Sequence, residues 1–176
     1  LPPNLANRLD YKPALPEARQ ELMKGTTMGS VIKMMVVYET PFWREEGLSG
    51  QVLSDTGLIH TLYDNSPQDG SCGVLLGFAE GANARHLRCL GRDVREQLMV
   101  ECLITHFGSK ALDYKEYLEK NWLSDPWAQG GYCGHFGPGL WTKYGETLRE
   151  PCGRIHWAGT ETSSLWNGYM EGAVCS

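Results

Sequence analysis

The sequence predicts an α+β fold: a mixed, mostly antiparallel sheet with helices packed on it, completed by a C-terminal strand-turn-helix element. Three observations carry that reading. Apolar or alternating runs of strand length stand between turn residues, one segment repeats its apolar residues at helical spacing, and a glycine-rich stretch precedes a last apolar run ending in Gly159-Thr160-Glu161.

Residues 1–22 carry Pro2, Pro3, Pro13 and Pro16, so they read as a connecting segment with one short helix after Pro16. Gly29-Ser30 leads into the β-branched run Val31-Ile32-Lys33-Met34-Met35-Val36-Val37-Tyr38, which Pro41-Phe42-Trp43-Arg44 ends. The stretches around 50–54, 58–63 and 73–78, set between turns such as Asp64-Asn65-Ser66-Pro67 and Asp69-Gly70, complete an antiparallel sheet. Over residues 92–107, Val94, Leu98, Cys102 with Leu103, and His106 with Phe107 recur at helical spacing. Asp93 and Glu96 sit early in that helix and Gly108 stops it. Residues 114–122 read as a strand. Ser124-Asp125-Pro126 and Gly130-Gly131-Tyr132-Cys133-Gly134 then mark a boundary. Arg154 to Thr162 reads as a short buried strand entering a glycine turn, with a helix starting near Asn167 or Gly168. No internal repeat is present.

Composition excludes several classes of function. With 16 Lys+Arg against 21 Asp+Glu, the chain is a poor partner for nucleic acid or an anionic membrane surface. Its 41% hydrophobic and 21% charged residues exclude disorder as the main state. No apolar window is long enough to span a bilayer, and the first residues lack the pattern of a signal peptide. The opening Leu1-Pro2-Pro3, and an end at Ala173-Val174-Cys175-Ser176 within what reads as a running helix, point to a piece of a longer protein. The six cysteines form no C-x-x-C pair and no regular spacing with histidine, which argues against zinc and for reduced thiols in an intracellular setting.

Several residues stand out chemically. Lys33 lies mid-strand among apolar neighbours, where desolvation favours a neutral amine able to hold a water; an edge strand that turns Lys33 to solvent explains the pattern equally well. Tyr132 sits among glycines that let backbone approach a flat ligand, though a simple loop tyrosine fits the same residues. Tyr169 follows Trp166-Asn167-Gly168 at a helix start, where free N–H groups face an electron-rich ligand. Gly159-Thr160-Glu161 has the shape of a ligand-facing turn or of an ordinary helix cap. Glu161 and Asp125 as a glycosidase pair is a weaker reading, because nothing in the sequence sets their separation. His60, His86, His106, His135 and His156 have no metal-ligand spacing and read as structural.

Taken together, Gly29-Ser-Val-Ile-Lys33, Pro41-Phe-Trp-Arg44, Lys120-Asn-Trp122, Gly130-Gly-Tyr132, Phe136-Gly-Pro-Gly139, Tyr144-Gly145 and Ala158-Gly-Thr-Glu-Thr162 with Trp166-Asn-Gly-Tyr-Met-Glu-Gly-Ala173 resemble the C-terminal half of flavin-containing monoamine oxidases. The resemblance implies FAD as cofactor, an amine and O2 as substrates, and a product aldehyde, with NH3 and H2O2. It implies that Lys33 holds a water at the flavin, and that Tyr132 and Tyr169 form an aromatic cage around the amine. It places Trp122, Tyr132, Gly159, Thr160, Gly168, Tyr169 and Met170 at the cofactor and Thr61, Tyr63 and Phe78 in the substrate cavity. Residues 1–22 and 125–176 would belong to a FAD-binding domain and 23–124 to a substrate-binding domain.

Two departures follow. The family's flavin-linking cysteine precedes the first cage tyrosine, where this chain has Gly131; Cys133 lies on the other side of Tyr132 and is expected to point elsewhere, so the resemblance implies a non-covalent FAD. No G-x-G-x-x-G follows a strand, so the parent's dinucleotide-binding part lies outside these residues and the isolated chain is expected to be inactive. The resemblance also allows a homodimer of the parent and, by family alone, a mitochondrial outer-membrane location. An L-amino-acid or polyamine oxidase of the same fold, or a non-catalytic aromatic-rich binding module, are the competing readings.

Overall fold

The computed structural model describes residues 1–176. Along the chain, α1 (Pro3–Ala6), α2 (Glu17–Gly25) and β1 (Thr26–Met28) precede β2 (Val31–Tyr38), α3 (Phe42–Glu45), β3 (Val52–Leu53), β4 (Thr61–Asp64) and β5 (Gly73–Glu80). Then come α4 (Gly81–Arg88), α5 (Arg92–Phe107), β6 (Tyr114–Asn121), β7 (Gly134–Phe136), α6 (Leu140–Tyr144) and α7 (Met170–Val174). They form two compact units: Leu1–Gly29 with Leu123–Ser176, and Ser30–Trp122.

The second unit is a five-stranded antiparallel sheet of order β3-β4-β5-β2-β6. Period-two alternation decides its two faces. Ile32, Met34, Val36 and Tyr38 of β2 are all buried, and α5 lies over the face they share. Gly77, opposite Met34, marks that placement: a Cβ there would come within 2.9 Å of the Met99 side chain on α5. Tyr38 also meets Phe42 and Trp43 of α3 edge-on, with ring centroids 5.2 and 5.8 Å apart. α5 has the bounds that its periodicity predicts, ending at Gly108 with φ of 75°, a conformation glycine adopts without penalty.

The helix α4 follows β5 without a loop and was not legible in the sequence, because only Ala84 and Leu87 of its eight residues are buried and the apolar stripe is correspondingly thin. In the first unit, β1 pairs with β7 in a two-stranded ladder. Arg154 to Thr162 departs from the expected buried strand: Ile155 makes a single bridge with Cys152, and residues 160–162 form a 3-10 turn. A strand needs a neighbouring ladder for its N–H and C=O groups, and this run has none within the chain. The last helix begins at Met170, two or three residues later than expected, after Trp166 and Gly168 take φ of 53° and 87°.

Candidate functional site

In the first unit, glycines bring backbone segments together and expose two tyrosines. Gly131 N–H donates to the Gly29 carbonyl at 2.8 Å and Gly29 N–H to the Cys133 carbonyl at 3.3 Å. A Cβ on Gly29 would lie 2.0 Å from the Gly131 carbonyl oxygen, and one on Gly130 would lie 2.3 Å from that of Gly29. No side chain fits at either position, so the Tyr132 loop is docked on the segment after β1 by direct backbone contact. The Gly131–Tyr132 peptide is cis.

The Tyr169 side of the site is tied by polar groups. Thr160 Oγ1 donates to the Tyr169 carbonyl at 2.8 Å, and Asn167 Nδ2 donates to the carbonyls of Thr160 and Glu161 at 3.0 and 3.2 Å. Gly172 packs so closely that a Cβ would fall 2.2 Å from the Trp166 carbonyl oxygen. Trp166 meets the Tyr169 ring edge-on at 5.9 Å. At five residues, α7 offers barely more than one turn of aligned peptide dipoles.

These ties assemble a groove of about 710 Å3 lined by Tyr132, Cys133, Thr160, Gly168, Tyr169, Met170 and Ala173. Tyr132 and Tyr169 are 59% and 65% exposed, a large aromatic area to leave facing water. A groove of this volume, walled by ring faces, glycine and a small hydroxyl, fits a planar polycyclic ligand. Five residues singled out in the sequence therefore meet here. Gly159 stands one residue before Thr160 with φ of 135°. Cys133, expected to point elsewhere because it lies on the other side of Tyr132, instead lines the groove, and Ala173 has no signature outside the fold. Burial, and then the charge of Glu161, push the Cys133 thiol pKa up, keeping it protonated and a weak nucleophile near neutral pH.

The other candidates lie in the second unit, on the sheet face opposite α5. The register sets Thr61, Phe78, Lys33 and Lys120 side by side across four strands, with Tyr63, Leu76, Met35 and Leu118 as the next row. Lys33 is half-buried and stands on an interior strand, so the edge-strand explanation of its position does not apply. Tyr63 meets Phe78 edge-on at 6.2 Å. Trp122 follows β6, with the Lys120 ammonium 5.0 Å from its ring centroid.

The two carboxylates considered for glycoside hydrolysis both have structural work. Glu161 Oε1 accepts the Gly134 N–H at 2.7 Å, and Asp125 Oδ1 accepts the N–H groups of Trp127 and Ala128 at 3.0 and 2.9 Å. All six cysteines are free thiols, and no group of three or more His, Cys, Asp or Glu is placed to hold a metal. No helix is long and apolar enough to cross a membrane.

The chain is similar to known proteins over nearly its whole length. The family of flavin-containing amine oxidoreductases matches residues 1–176. The flavin-containing amine oxidase B of Sus scrofa is 40% identical over 178 residues, covering 99% of this chain and 34% of its own length. The L-amino acid dehydrogenase of Synechocystis sp. is 39% identical over 173 residues, covering 98% of this chain and 37% of its own. Among solved structures, cyclohexylamine oxidase from Brevibacterium oxydans matches with a TM-score of 0.95 at 34% identity, over 99% of this chain and 39% of that one. The chain thus spans a little over a third of the length of the relatives it matches.

Proposed function

The chain belongs to the flavin-containing amine oxidoreductase family, and on that premise we propose that it forms part of a FAD-dependent amine oxidase converting an amine, O2 and water to an aldehyde, NH3 and H2O2. The observation that carries this reading is the groove in which Tyr132 and Tyr169 both stand exposed beside Thr160 and Gly168. When bound, the flavin supplies the two-electron acceptor that the oxidation needs.

In this reading the first unit contributes to the flavin-binding side, through residues 1–22 and 125–176. The second unit contributes to the substrate side, within residues 23–124. Thr160, Gly168 and Met170, with Gly159 and Trp122, hold the ring system, while the faces of Tyr132 and Tyr169 orient the amine nitrogen. Lys33 holds a water, and Thr61, Tyr63 and Phe78 on its sheet face receive the body of the substrate. The flavin is held without a covalent bond: Gly131 offers no thiol, and Cys133 on the far side of Tyr132 is kept protonated by burial and by Glu161.

The test is an absorbance spectrum of the full-length protein before and after amine is added without oxygen. A flavin band that bleaches with amine, and that passes an ultrafilter after denaturation, is expected. Absence of flavin would overturn the family function for this protein, and flavin retained on the denatured polypeptide would overturn the non-covalent assignment. Tyr169→Ala is expected to lower kcat/KM by about tenfold to a hundredfold, the scale of about 1.4–2.7 kcal/mol of lost orientation and cation–π energy. Lys33→Met is expected to slow turnover in air by about a hundredfold at unchanged flavin content.

A second reading, an L-amino-acid oxidoreductase, is favoured by one feature: Lys33 and Lys120 stand directly opposite one another across β2 and β6, a cationic pair able to meet a substrate carboxylate. Turnover of L-amino acids in preference to the corresponding decarboxylated amines would establish it.

A further inference from the structure

The first unit holds another cavity, of about 320 Å3, flanking the same turn: Glu161 and Thr162 line it, whereas Thr160 lines the tyrosine groove. Arg19, at 4% exposure, is among its lining residues. Its guanidinium carbon sits 3.7 Å from the centroid of the Trp157 ring, and Nη1 donates to the Thr147 carbonyl at 2.7 Å. Nε is buried and has no hydrogen-bond partner. No carboxylate lies within ion-pair distance of this arginine. Glu161, the acidic residue on the cavity wall, is engaged by Gly134, and the nearby Tyr11 hydroxyl donates to the Ala6 carbonyl at 3.0 Å.

A buried cation without a counter-ion, presenting an N–H without an acceptor, is a costly arrangement that proteins rarely keep unless something completes it. Stacking on Trp157 fixes the guanidinium plane, and the bond to Thr147 uses only Nη1. The side of the fork formed by Nε and Nη2 is left with no acceptor, and that pair matches the two oxygens of a carboxylate. Burial also lowers the Arg19 pKa, a penalty that an adjacent anion would offset. The remaining wall includes Leu148, Ile155 and Trp157, which suits an apolar body behind the acid.

We propose that this cavity is a carboxylate-binding site, in which the Arg19 guanidinium, through its unmatched donors, grips a carboxylate carried on an apolar group. The carboxylate comes either from a small free acid or from an acidic side chain elsewhere in a longer polypeptide. Arg19 and this cavity lie within the residues assigned to the flavin-binding side, but Arg19 is given no role there and benzoate binding is read without flavin.

Benzoate is the probe, read by the Arg19 Nε–H signal of the protein labelled with 15N-arginine. Benzoate is expected to shift that signal saturably, while benzamide and benzylamine leave it in place. Arg19→Gln should weaken benzoate binding at least tenfold, the scale of one charge-assisted hydrogen bond. Arg19→Lys, which keeps the charge and loses the fork, should weaken it less and serves if the glutamine variant does not fold. The same titration on the full-length protein separates the sources. A signal already at the benzoate-bound position and insensitive to benzoate means that the polypeptide supplies the acid; one that titrates means a free ligand site. Two results would overturn the proposal: equal shifts with benzamide, or no benzoate response in the chain together with an unshifted signal in the full-length protein.

Discussion

Gly29 is the position where one atom decides whether the tyrosine groove can exist. Adding a Cβ there places it 2.0 Å from a backbone oxygen that has no rotamer in which to escape, so the Tyr132 loop must move. Gly29→Ala is therefore expected to cost about 2 kcal/mol or more, the scale of overpacking, and to lower flavin content in the full-length protein. Gly91→Ala, where a Cβ meets nothing within 4 Å, is the control and should shift stability by well under 1 kcal/mol. Thermal unfolding of both variants checks the pair, and equal losses would show that the backbone contact at Gly29 is not what holds the loop. The same scale separates Tyr132 from Cys133: adjacent in sequence, one is an exposed ring on the groove and the other a protonated thiol beside Gly168.

At the scale of elements, helices are fastened to the sheet by partly buried ion pairs as well as by apolar contact. Asp64, at the end of β4, accepts from Arg44 Nε at 2.7 Å, from Trp43 Nε1 at 2.9 Å and from the Ser66 N–H at 2.9 Å. Burial by itself would raise its pKa, but those bonds outweigh burial and hold the carboxyl well below the usual carboxylate range. A depressed folded-state pKa contributes stability above the unfolded value of about 3.9, and that contribution is lost as pH falls below it. Asp64→Asn is thus expected to cost about 1.5–3 kcal/mol at pH 7, with the gap to the parent narrowing below about pH 4. Urea unfolding across that range tests it, and a constant gap would remove the charge from the account. A second clamp joins Arg95 of α5 to Glu119 of β6, with the Tyr117 hydroxyl donating to the same carboxylate at 2.8 Å. Glu119 on β6 lies three strands away from Asp64 on β4, so the two clamps should act additively.

For the whole molecule, chain connectivity matters as much as packing. The second unit is one uninterrupted stretch with its own buried set, including Met34, Val36, Leu75, Met99 and Leu103, whereas the first is assembled from two stretches separated in sequence. A polypeptide of residues 30–122 is therefore expected to unfold cooperatively in urea on its own. Amide exchange should be slowest in β2, which is paired on both sides, and at least about a hundredfold faster over residues 155–158, which have a single bridge. Comparable protection in the two regions would mean that the 155–158 run is better ordered than its hydrogen bonding implies. The 176-residue chain holds no dinucleotide-binding signature, and amine-dependent peroxide production by it is expected to be absent; detectable peroxide would show that the chain completes a flavin site alone.

What the sequence determined by itself was local and periodic. The alternation of residues 31–38 and the helical spacing of 92–107 each imply a buried face, and burial of that face selects the element. The motif from Ala158 to Ala173 likewise marked the turn, the tyrosine and the family. Tertiary structure alone decided which of these residues share a space. It brought Cys133 and Ala173 beside Tyr132 and Tyr169, set Lys33 in one row with Phe78 and Thr61, and left Arg19 buried with an unmatched donor. Ile155 to Ala158 shows the reason in reverse: an apolar run reads as a strand, yet backbone hydrogen bonds need a neighbour, and whether one exists is a property of the fold and not of the run.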